Sequence, residues 1–209
     1  MNMPAWIEYF AVAVCAIAAV LAAEGKRMDL FGVMVLALVT AVGGGTIRDL
    51  CLGVRPVFWI EQPHHVWTAL IAAVVTFVAA RFVHMPEKML SIADAFGLAL
   101  FGIAGTEKAL AFGAPGIVAI LLGIVTGVAG GILRDVLRGE LPLVFQPDVN
   151  LYATAVFVGA LVFVLLQQWL PVAESHRYIG MAVILVLRLA AMRWRLRLPT
   201  FWTRGKSSG

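Results

Sequence analysis

Charged residues are scarce in this sequence. Asp, Glu, Lys and Arg make up 13% of the 209 residues, whereas hydrophobic residues make up 62%. A soluble domain is about one quarter charged and about half apolar, because a compact chain of this length needs polar side chains to cover its surface. The composition therefore excludes an ordinary soluble enzyme, a disordered chain and a rod of the coiled-coil or collagen type. It predicts an integral membrane protein.

Reactive and metal-binding side chains are also few. The two cysteines, Cys15 and Cys51, are too few for a disulfide scaffold and are expected to be free thiols. No P-loop, His-Glu-x-x-His, Cys-x-x-Cys or Gly-x-Ser-x-Gly motif occurs. The histidines are predicted to lie in loops, without the spacing of metal ligands: His64, His65, His84 and His176. We therefore expect no enzyme, no metal or cofactor site and no nucleic-acid partner.

Long apolar runs dominate what remains. A membrane-spanning helix needs about 20 mostly apolar residues, with about 17 as the lower limit, and runs without sustained alternation do not predict barrel strands. The sequence therefore predicts an all-α membrane protein with seven spanning helices. The predicted spans are Trp6–Ala23, Leu30 to the glycines at 43–45, Val66–Ala80, Leu90–Phe112, Ile117 to the glycines at 130–131, Leu151–Trp169 and Ile179–Met192.

Basic residues indicate how the chain is threaded. Basic segments stay on the cytoplasmic side of a membrane. With seven spans, a cytoplasmic C-terminus puts the N-terminus outside, and most of the 16 Lys and Arg residues then fall on the cytoplasmic side. We expect one membrane domain over 1–192 and a basic tail over 193–209, whose last residues, 205–209, are typical of a cloning remnant. The basic residues of the tail are Arg193, Arg195, Arg197, Arg204 and Lys206.

The sequence repeats itself at an offset of 86 residues. Residues 39–49 (VTAVGGGTIRD) resemble residues 125–135 (VTGVAGGILRD). Repeat one then covers 6–84 and repeat two 90–170, with the seventh helix, 179–192, outside them. Because each repeat holds three spans, the halves enter the membrane from opposite sides, which is the inverted-repeat architecture of transporters and some channels. The same offset matches Gly53 with Gly139, Pro56 with Pro142, Thr68 with Thr154, and Phe77 with Phe163.

Glycine runs occupy the same place in both repeats: Gly43, Gly44 and Gly45 in the first, Gly130 and Gly131 in the second. Glycine weakens a helix by about 1 kcal/mol relative to alanine, so a glycine run predicts a helix break that lines a pathway. The alternative is close packing, since small residues let two helices approach. If the glycines line a pathway, alanine at Gly44 or Gly130 is expected to narrow it. If they serve close packing, the same substitutions are expected to lower the stability of the protein.

A threonine precedes each glycine run by about one helical turn. Thr40 comes four residues before Gly44, and Thr126 comes four residues before Gly130. Their hydroxyls either line a polar path that a dehydrated cation tolerates or bond back to the carbonyl of the preceding turn. The sequence does not separate these two interpretations.

An Arg-Asp pair follows each glycine run, Arg48-Asp49 in the first repeat and Arg134-Asp135 in the second. A charge at membrane depth needs a partner, and adjacent residues on a helix do not face each other. We therefore predict that each pair bonds to other elements, and that Arg48 and Arg134 hold the two halves together rather than select ions. The alternative is an anchor whose charge extends to the membrane surface.

The fourth predicted span carries three ionisable residues that are candidates for gating. Asp94 lies near its cytoplasmic start, whereas Glu107 and Lys108 lie near its outer end. A Glu-Lys neighbour pair is typical of an interfacial anchor, but a lysine that swings toward a cation path acts as an electrostatic plug.

These segments resemble the prokaryotic branch of the trimeric intracellular cation channel family. The resemblance rests on GGGTIRD at 43–49, GGILRDVLRGELP at 130–142, DAFGLALFG at 94–102 and GTEKA at 105–109, and it extends over nearly the whole chain. It implies a homotrimer in a bacterial inner membrane, with seven spans, a pore in each protomer and lipids around it. It also implies passage of monovalent cations, chiefly potassium, and helices kinked at the two glycine runs.

The sequence departs from the family pattern in two places. The second glycine run reads Ala129-Gly130-Gly131 where the first has three glycines, so the kinks are expected to differ. Animal members place a basic gating residue on the fourth span, and Lys108 is the nearest candidate in this chain. Three further glycines, Gly97, Gly102 and Gly159, suit either subunit contacts or internal packing.

We therefore predict a potassium channel whose pore lies between the repeats and is lined by spans one, two, four and five. Potassium or sodium is the expected permeant ion, and no cofactor is expected. The alternative is a transporter of a small amino acid, since bacterial members also carry a glycine-transporter label. A purely structural membrane protein would show neither activity.

Overall fold

The computed structural model describes residues 3–82, 86, 88–146, 151–170, 173–194 and 196. Within these ranges the secondary structure is helical, without strands, as the composition predicted. A short 3-10 turn lies at Leu143–Phe145. The α-helices are α1 (Ala5–Ala22), α2 (Leu30–Cys51), α3 (Phe58–Glu61), α4 (His64–Ala79), α5 (Lys88–Ala111), α6 (Gly116–Leu137), α7 (Tyr152–Trp169) and α8 (Ser175–Trp194).

Six of the described helices are long and apolar enough to cross a membrane: α1, α2, α5, α6, α7 and α8. They correspond to the first, second and fourth to seventh predicted spans. Helix α4 occupies the position of the third predicted span, but at 16 residues it is shorter than the others. Length and composition thus establish six candidate spans and one shorter apolar helix.

Parts of the sequence prediction lie outside the described residues. The end of the first predicted repeat, with His84, is one such part, and the tail over 193–209 is described only at 193, 194 and 196. The remaining basic residues of the tail therefore have no structural description: Arg195, Arg197, Arg204 and Lys206.

Helices α2 and α6 cross at their glycines. A Cβ atom built on Gly44 would lie well inside 3.0 Å of the carbonyl oxygen of Thr126, and one built on Gly130 would also lie well inside 3.0 Å of the carbonyl oxygen of Thr40. Both helices run without interruption through the glycines. The helices are therefore not interrupted at the glycines, and each glycine packs closely, because it lets the backbone of the other helix approach. A bend at the glycine runs stays a prediction.

The ends of α2 and α6 are built alike. Asp49 and Asp135 each lie two residues before the end of their helix, and each accepts a hydrogen bond from a backbone N–H beyond the loop, at 2.9 Å from Phe58 and 3.0 Å from Leu143. In both loops a glycine in the left-handed region turns the chain back, at φ values of 71° and 70°. The two aspartates thus fix equivalent loops in the two halves.

Small residues bring the other helices together. Alanines of α1, α2 and α4 form one buried cluster, and larger side chains of α5, α7 and α8 form a second. Gly97 faces the Cys15 sulfur, Gly102 faces Val156, and Gly159 of α7 faces α8. These three glycines therefore serve packing within the protomer, which the sequence had left open.

Candidate functional site

A central cavity lies where α1, α2, α5 and α6 meet. Its volume is about 10 Å³, which is close to the minimum that one water molecule requires. Both predicted threonines, glycines of both runs and one buried ion pair line it. The residues that matter for its chemistry are Thr40, Gly44, Thr126, Gly130, Asp94 and Arg134.

The two threonine hydroxyls bond locally. Thr40 Oγ1 donates to the carbonyl oxygen of Leu36 at 2.7 Å, and Thr126 Oγ1 donates to that of Leu122 at 2.5 Å. Both threonines also line the central cavity. A hydroxyl that donates one hydrogen bond keeps oxygen lone pairs for a cation or a water, so the two interpretations of these residues are compatible.

The remaining predicted glycines face bulky neighbours. A Cβ on Gly43 would meet the Leu133 side chain, and one on Gly131 would meet the Tyr152 hydroxyl. A Cβ on Gly45 would meet the Phe58 ring. Gly44, Gly45, Gly130 and Gly131 line the central cavity, but each of them is also a point of close contact.

Arg134 anchors a buried charge cluster at one end of the central cavity. Its Nη1 donates to Asp94 Oδ1 at 2.9 Å, and its Nε donates to Asp135 Oδ1 at 2.8 Å. On the other side of the carboxylate, Arg188 Nη2 of α8 lies 4.0 Å from Asp94 Oδ2, with its guanidinium 4.7 Å from the centre of the Tyr152 ring. Two arginines thus share one buried carboxylate.

Asp49 organises a second charge cluster near the other end of α5. It is fully buried, and its Oδ1 accepts hydrogen bonds from Arg48 Nε and Lys108 Nζ, both at 2.8 Å. Lys108, which was a gating candidate, is therefore bound to the first half of the chain. The Arg-Asp pairs of both repeats bond internally, because a long guanidinium side chain can curl around the end of its helix. The prediction that adjacent residues would not pair is wrong.

Two ion pairs join the halves among the described residues, Lys108–Asp49 with its fully buried acid and the more exposed Lys26–Glu140. Arg48 pairs with Asp49 within α2, and the ion pairs of Arg134 go to Asp94 and Asp135 within the second half. The prediction that the two arginines hold the halves together is therefore corrected. In the buried link, Asp49 of the first Arg-Asp pair supplies the carboxylate, and Lys108 of the second half supplies the cation.

Helix α8 contributes two buried arginines, Arg177 and Arg188, that were not predicted as site residues. It begins at Ser175, four residues before the predicted start, so Arg177 is a buried helix residue rather than a loop residue. Its Nη2 donates to Glu107 Oε1 at 2.7 Å. Arg177 and Arg188 therefore bind acids near opposite ends of α5. His176 is also buried in this helix, contrary to the loop prediction.

A larger cavity of about 360 Å³ opens near Lys108, and we call it the Lys108 cavity. Three carboxylates and two cations line it. His65 lines it too, although the sequence placed both His64 and His65 in a loop: they begin α4, and His65 lies 3.3 Å from Glu8. The charged lining residues are Glu8, Glu61, Glu107, Arg48 and Lys108.

A third cavity of about 220 Å³ lies at the other end, and we call it the Glu140 cavity. Arg134, Arg138 and Glu140 are among its lining residues. Glu140 accepts a hydrogen bond from Lys26, and this contact lowers the pKa of the Glu140 carboxyl. The loop between α1 and α2 is thereby tied to the loop that follows α6.

Two residues are shared between neighbouring cavities. Phe101 lines both the Lys108 cavity and the central cavity, and Arg134 lines both the central cavity and the Glu140 cavity. The central cavity thus shares one lining residue with each of the other two, and we refer to the three cavities as a series. Among the described residues, no three His, Cys, Asp or Glu side chains converge in a way that could hold a metal ion.

Sequence reasoning missed Phe101 and Glu8 as site residues. Glu8 precedes Asp94 by the repeat offset of 86, so extending the repeat into the first span would have paired these two acids. No comparable signal marks Phe101, which lies in an apolar run and becomes important only through the cavities on either side of it.

Comparison with known proteins finds close relatives over nearly the whole chain. A family model described as "Glycine transporter" matches twice, at residues 5–81 and 91–168. The inner membrane protein YadS of Escherichia coli is 44% identical over 198 residues, which cover 94% of this chain and 95% of YadS.

Solved structures give the same picture. A trimeric intracellular cation channel orthologue from Rhodobacter sphaeroides is 40% identical, with a TM-score of 0.86, and the match covers 92% of this chain and 98% of that one. A second structure, described in terms of conductance through such cation channels, is 31% identical with a TM-score of 0.86 and covers 97% and 98%. These proteins are channels, not enzymes.

Proposed function

The chain belongs to the prokaryotic branch of the trimeric intracellular cation channel family, whose sequence model is described as a glycine transporter. From this premise we propose that it is a channel for monovalent cations, chiefly potassium, with a pore in each protomer. The observation that carries the proposal is the series of three cavities, whose central member lies where α1, α2, α5 and α6 meet. The chain is not an enzyme, and the permeant ion is the only small ligand that the proposal requires.

The lining of the series suits cations. In the Lys108 cavity three carboxylates, Glu8, Glu61 and Glu107, outnumber the two cations, Arg48 and Lys108, and acidic rims favour cation entry. In the central cavity, hydroxyl and carbonyl oxygens of the two glycine helices provide neutral ligands of the kind that replace water around a cation.

The described conformation is closed. A central cavity of about 10 Å³ holds no more than one water, so a hydrated potassium ion does not pass. Phe101 obstructs one side of it, and the Arg134–Asp94 pair obstructs the other. We infer that the channel opens by movement of these two side chains.

The decisive test is to reconstitute the purified protein in planar bilayers. We expect single-channel potassium currents that reverse near the potassium equilibrium potential in a KCl gradient. Saturable glycine uptake into vesicles without such currents would contradict the proposal and establish the transporter alternative. Neither activity would indicate a structural membrane protein.

Phe101→Leu is expected to raise the unitary potassium conductance, because a smaller side chain widens the passage between the Lys108 cavity and the central cavity. The matched control is Phe163→Leu, which changes a buried phenylalanine of α7 in the second core cluster. Both variants should lose about 1 kcal/mol of stability, so the melting temperatures match while the conductances differ. Equal conductance in the two variants would remove Phe101 from the pathway.

We infer that the two halves are inverted relative to each other, with seven spans, the N-terminus outside and the C-terminus in the cytoplasm. Equivalent Arg-Asp pairs contact opposite ends of α5, Asp49 at Lys108 and Arg134 at Asp94, and these positions are about 21 Å apart along a helix. The two matches to one family model, starting 86 residues apart, support the duplication.

The proposed assembly is a homotrimer in the bacterial inner membrane, surrounded by lipids and without a nucleic-acid partner. Its support is the likeness to solved channels described as trimeric and to a relative described as an inner membrane protein. Cross-linking in detergent should give a ladder that ends at the trimer, and reporter fusions at each terminus should place the two on opposite sides of the membrane.

A further inference from the structure

The two oxygens of the Asp94 carboxylate differ in their hydrogen bonding. Its Oδ1 accepts the hydrogen bond from Arg134, whereas its Oδ2 is buried and accepts no hydrogen bond from the described residues. The Arg188 guanidinium faces that second oxygen at 4.0 Å. A displacement of about 1 Å would bring this contact to hydrogen-bond distance.

The two arginines stand in different relations to the proposed pathway. Arg134 lines both the central and the Glu140 cavities and thus separates them. Arg188 is buried against the Tyr152 ring, and among the described residues it is not part of the lining of either cavity. Movement of Arg134 therefore opens the passage, whereas movement of Arg188 toward Asp94 does not block it.

We propose that Arg188 is a positioning residue that takes over the Asp94 carboxylate when Arg134 leaves it. A buried carboxylate without a cation is strongly unfavourable, so the Arg134–Asp94 pair opens only if a second cation is at hand. Arg188 supplies that cation from α8, outside the passage. The exchange of partners lets Arg134 move while Asp94 stays paired.

This exchange belongs to one end of the pathway. Helix α8 lies beyond both segments that match the family model, 5–81 and 91–168. The acid equivalent to Asp94 in the first half is Glu8, which contacts His65 and lines the open Lys108 cavity. Among the described residues, the ion pairs thus place two arginines at Asp94 and a histidine, His65, at Glu8.

A thermal double-mutant cycle tests the exchange without relying on conduction. In Arg134→Gln, Arg188 pairs with Asp94, and in Arg188→Gln, Arg134 does, so Asp94 keeps one arginine in each single variant. Arg134→Gln also costs the ion pair with Asp135, and this loss is common to the single and the double variant. The double variant leaves the buried Asp94 carboxylate without an arginine. The decrease in its melting temperature should exceed the sum of the decreases in the two single variants by more than about 5 °C. Adding Asp94→Asn should restore most of that loss. Additive effects would overturn the proposal, as would a failure of Asp94→Asn to rescue.

Single-channel recording tests the consequence for gating, which rests on the proposed function. Arg188→Gln should lower the open probability about tenfold at unchanged unitary conductance, and Arg188→Lys should retain most openings. The matched control is Arg177→Gln, which removes the other buried arginine of α8 that pairs with α5 and should leave the open probability near that of the unchanged protein. A normal open probability in Arg188→Gln would overturn the gating role. Absence of current in the unchanged protein would refute the channel instead, and the thermal cycle would still decide the exchange.

Discussion

Alanine at Gly44 or Gly130 is expected to destabilise the protein by about 3 kcal/mol or more. The added methyl group would lie inside 3.0 Å of a backbone carbonyl oxygen of the opposing helix, that of Thr126 or Thr40. A side chain can rotate away from such a clash, but a carbonyl within a continuous helix cannot, so α2 and α6 would have to separate. Thermal unfolding in detergent, followed by fluorescence or by retention on gel filtration, measures the loss.

Gly32→Ala is the matched control, because it adds a methyl group to the first turn of α2 where the neighbouring atoms are in side chains, the nearest being Asp29 Oδ1 at 3.2 Å. Its melting temperature should stay within a few degrees of that of the unchanged protein. If Gly44→Ala and Gly130→Ala were as stable as this control and conducted less, the glycines would act in gating rather than in packing.

Asp49→Ala is expected to cost about 3–5 kcal/mol, the usual result of breaking a buried ion pair from one side. Three groups lose their acceptor together: the Arg48 guanidinium, the Lys108 ammonium and the backbone N–H of Phe58. The first two are cations, so the variant leaves positive charge unpaired between the halves. Chemical denaturation or melting in detergent, compared at equal protein-to-detergent ratio, reports the loss.

Two further variants separate the contributions at Asp49. Lys108→Met in the Asp49→Ala background should recover part of the stability, because it removes one of the two unpaired cations. Glu24→Gln, at an exposed residue after α1, should change the melting temperature little. If Asp49→Ala were as stable as Glu24→Gln, the Lys108–Asp49 link would not join the halves energetically.

Much of the architecture follows from local pattern. Apolar runs located the long helices, and the repeated motif with its offset of 86 drew attention to Asp49 and Asp135 as equivalent residues. Motif resemblance identified the family. These features are readable because hydrophobic length, repeats and short motifs are properties of contiguous sequence.

The tertiary contacts of individual residues were harder to predict from the sequence. The glycine runs favoured a break over a close contact, whereas the close contact depends on the backbone of another helix, which the sequence does not show: for Gly44 it is the backbone of Thr126. Arg177 lies outside the predicted seventh span, Ile179–Met192, because its helix begins with polar residues that do not raise local hydropathy. Its partly buried partner, Glu107, lies 70 residues away, beyond the reach of any spacing rule.

The contact between Gly44 and the Thr126 carbonyl, with its counterpart between Gly130 and Thr40, has a genetic consequence. Because the opposing atom belongs to the main chain, no replacement of Thr126 or Thr40 can make room for a methyl group on the glycine. Second-site suppressors of Gly44→Ala are therefore expected away from the contact, at positions that shift a whole helix, and not at the threonine itself. The two halves of a duplicated chain thus constrain each other at a site where neither can compensate for a change in the other.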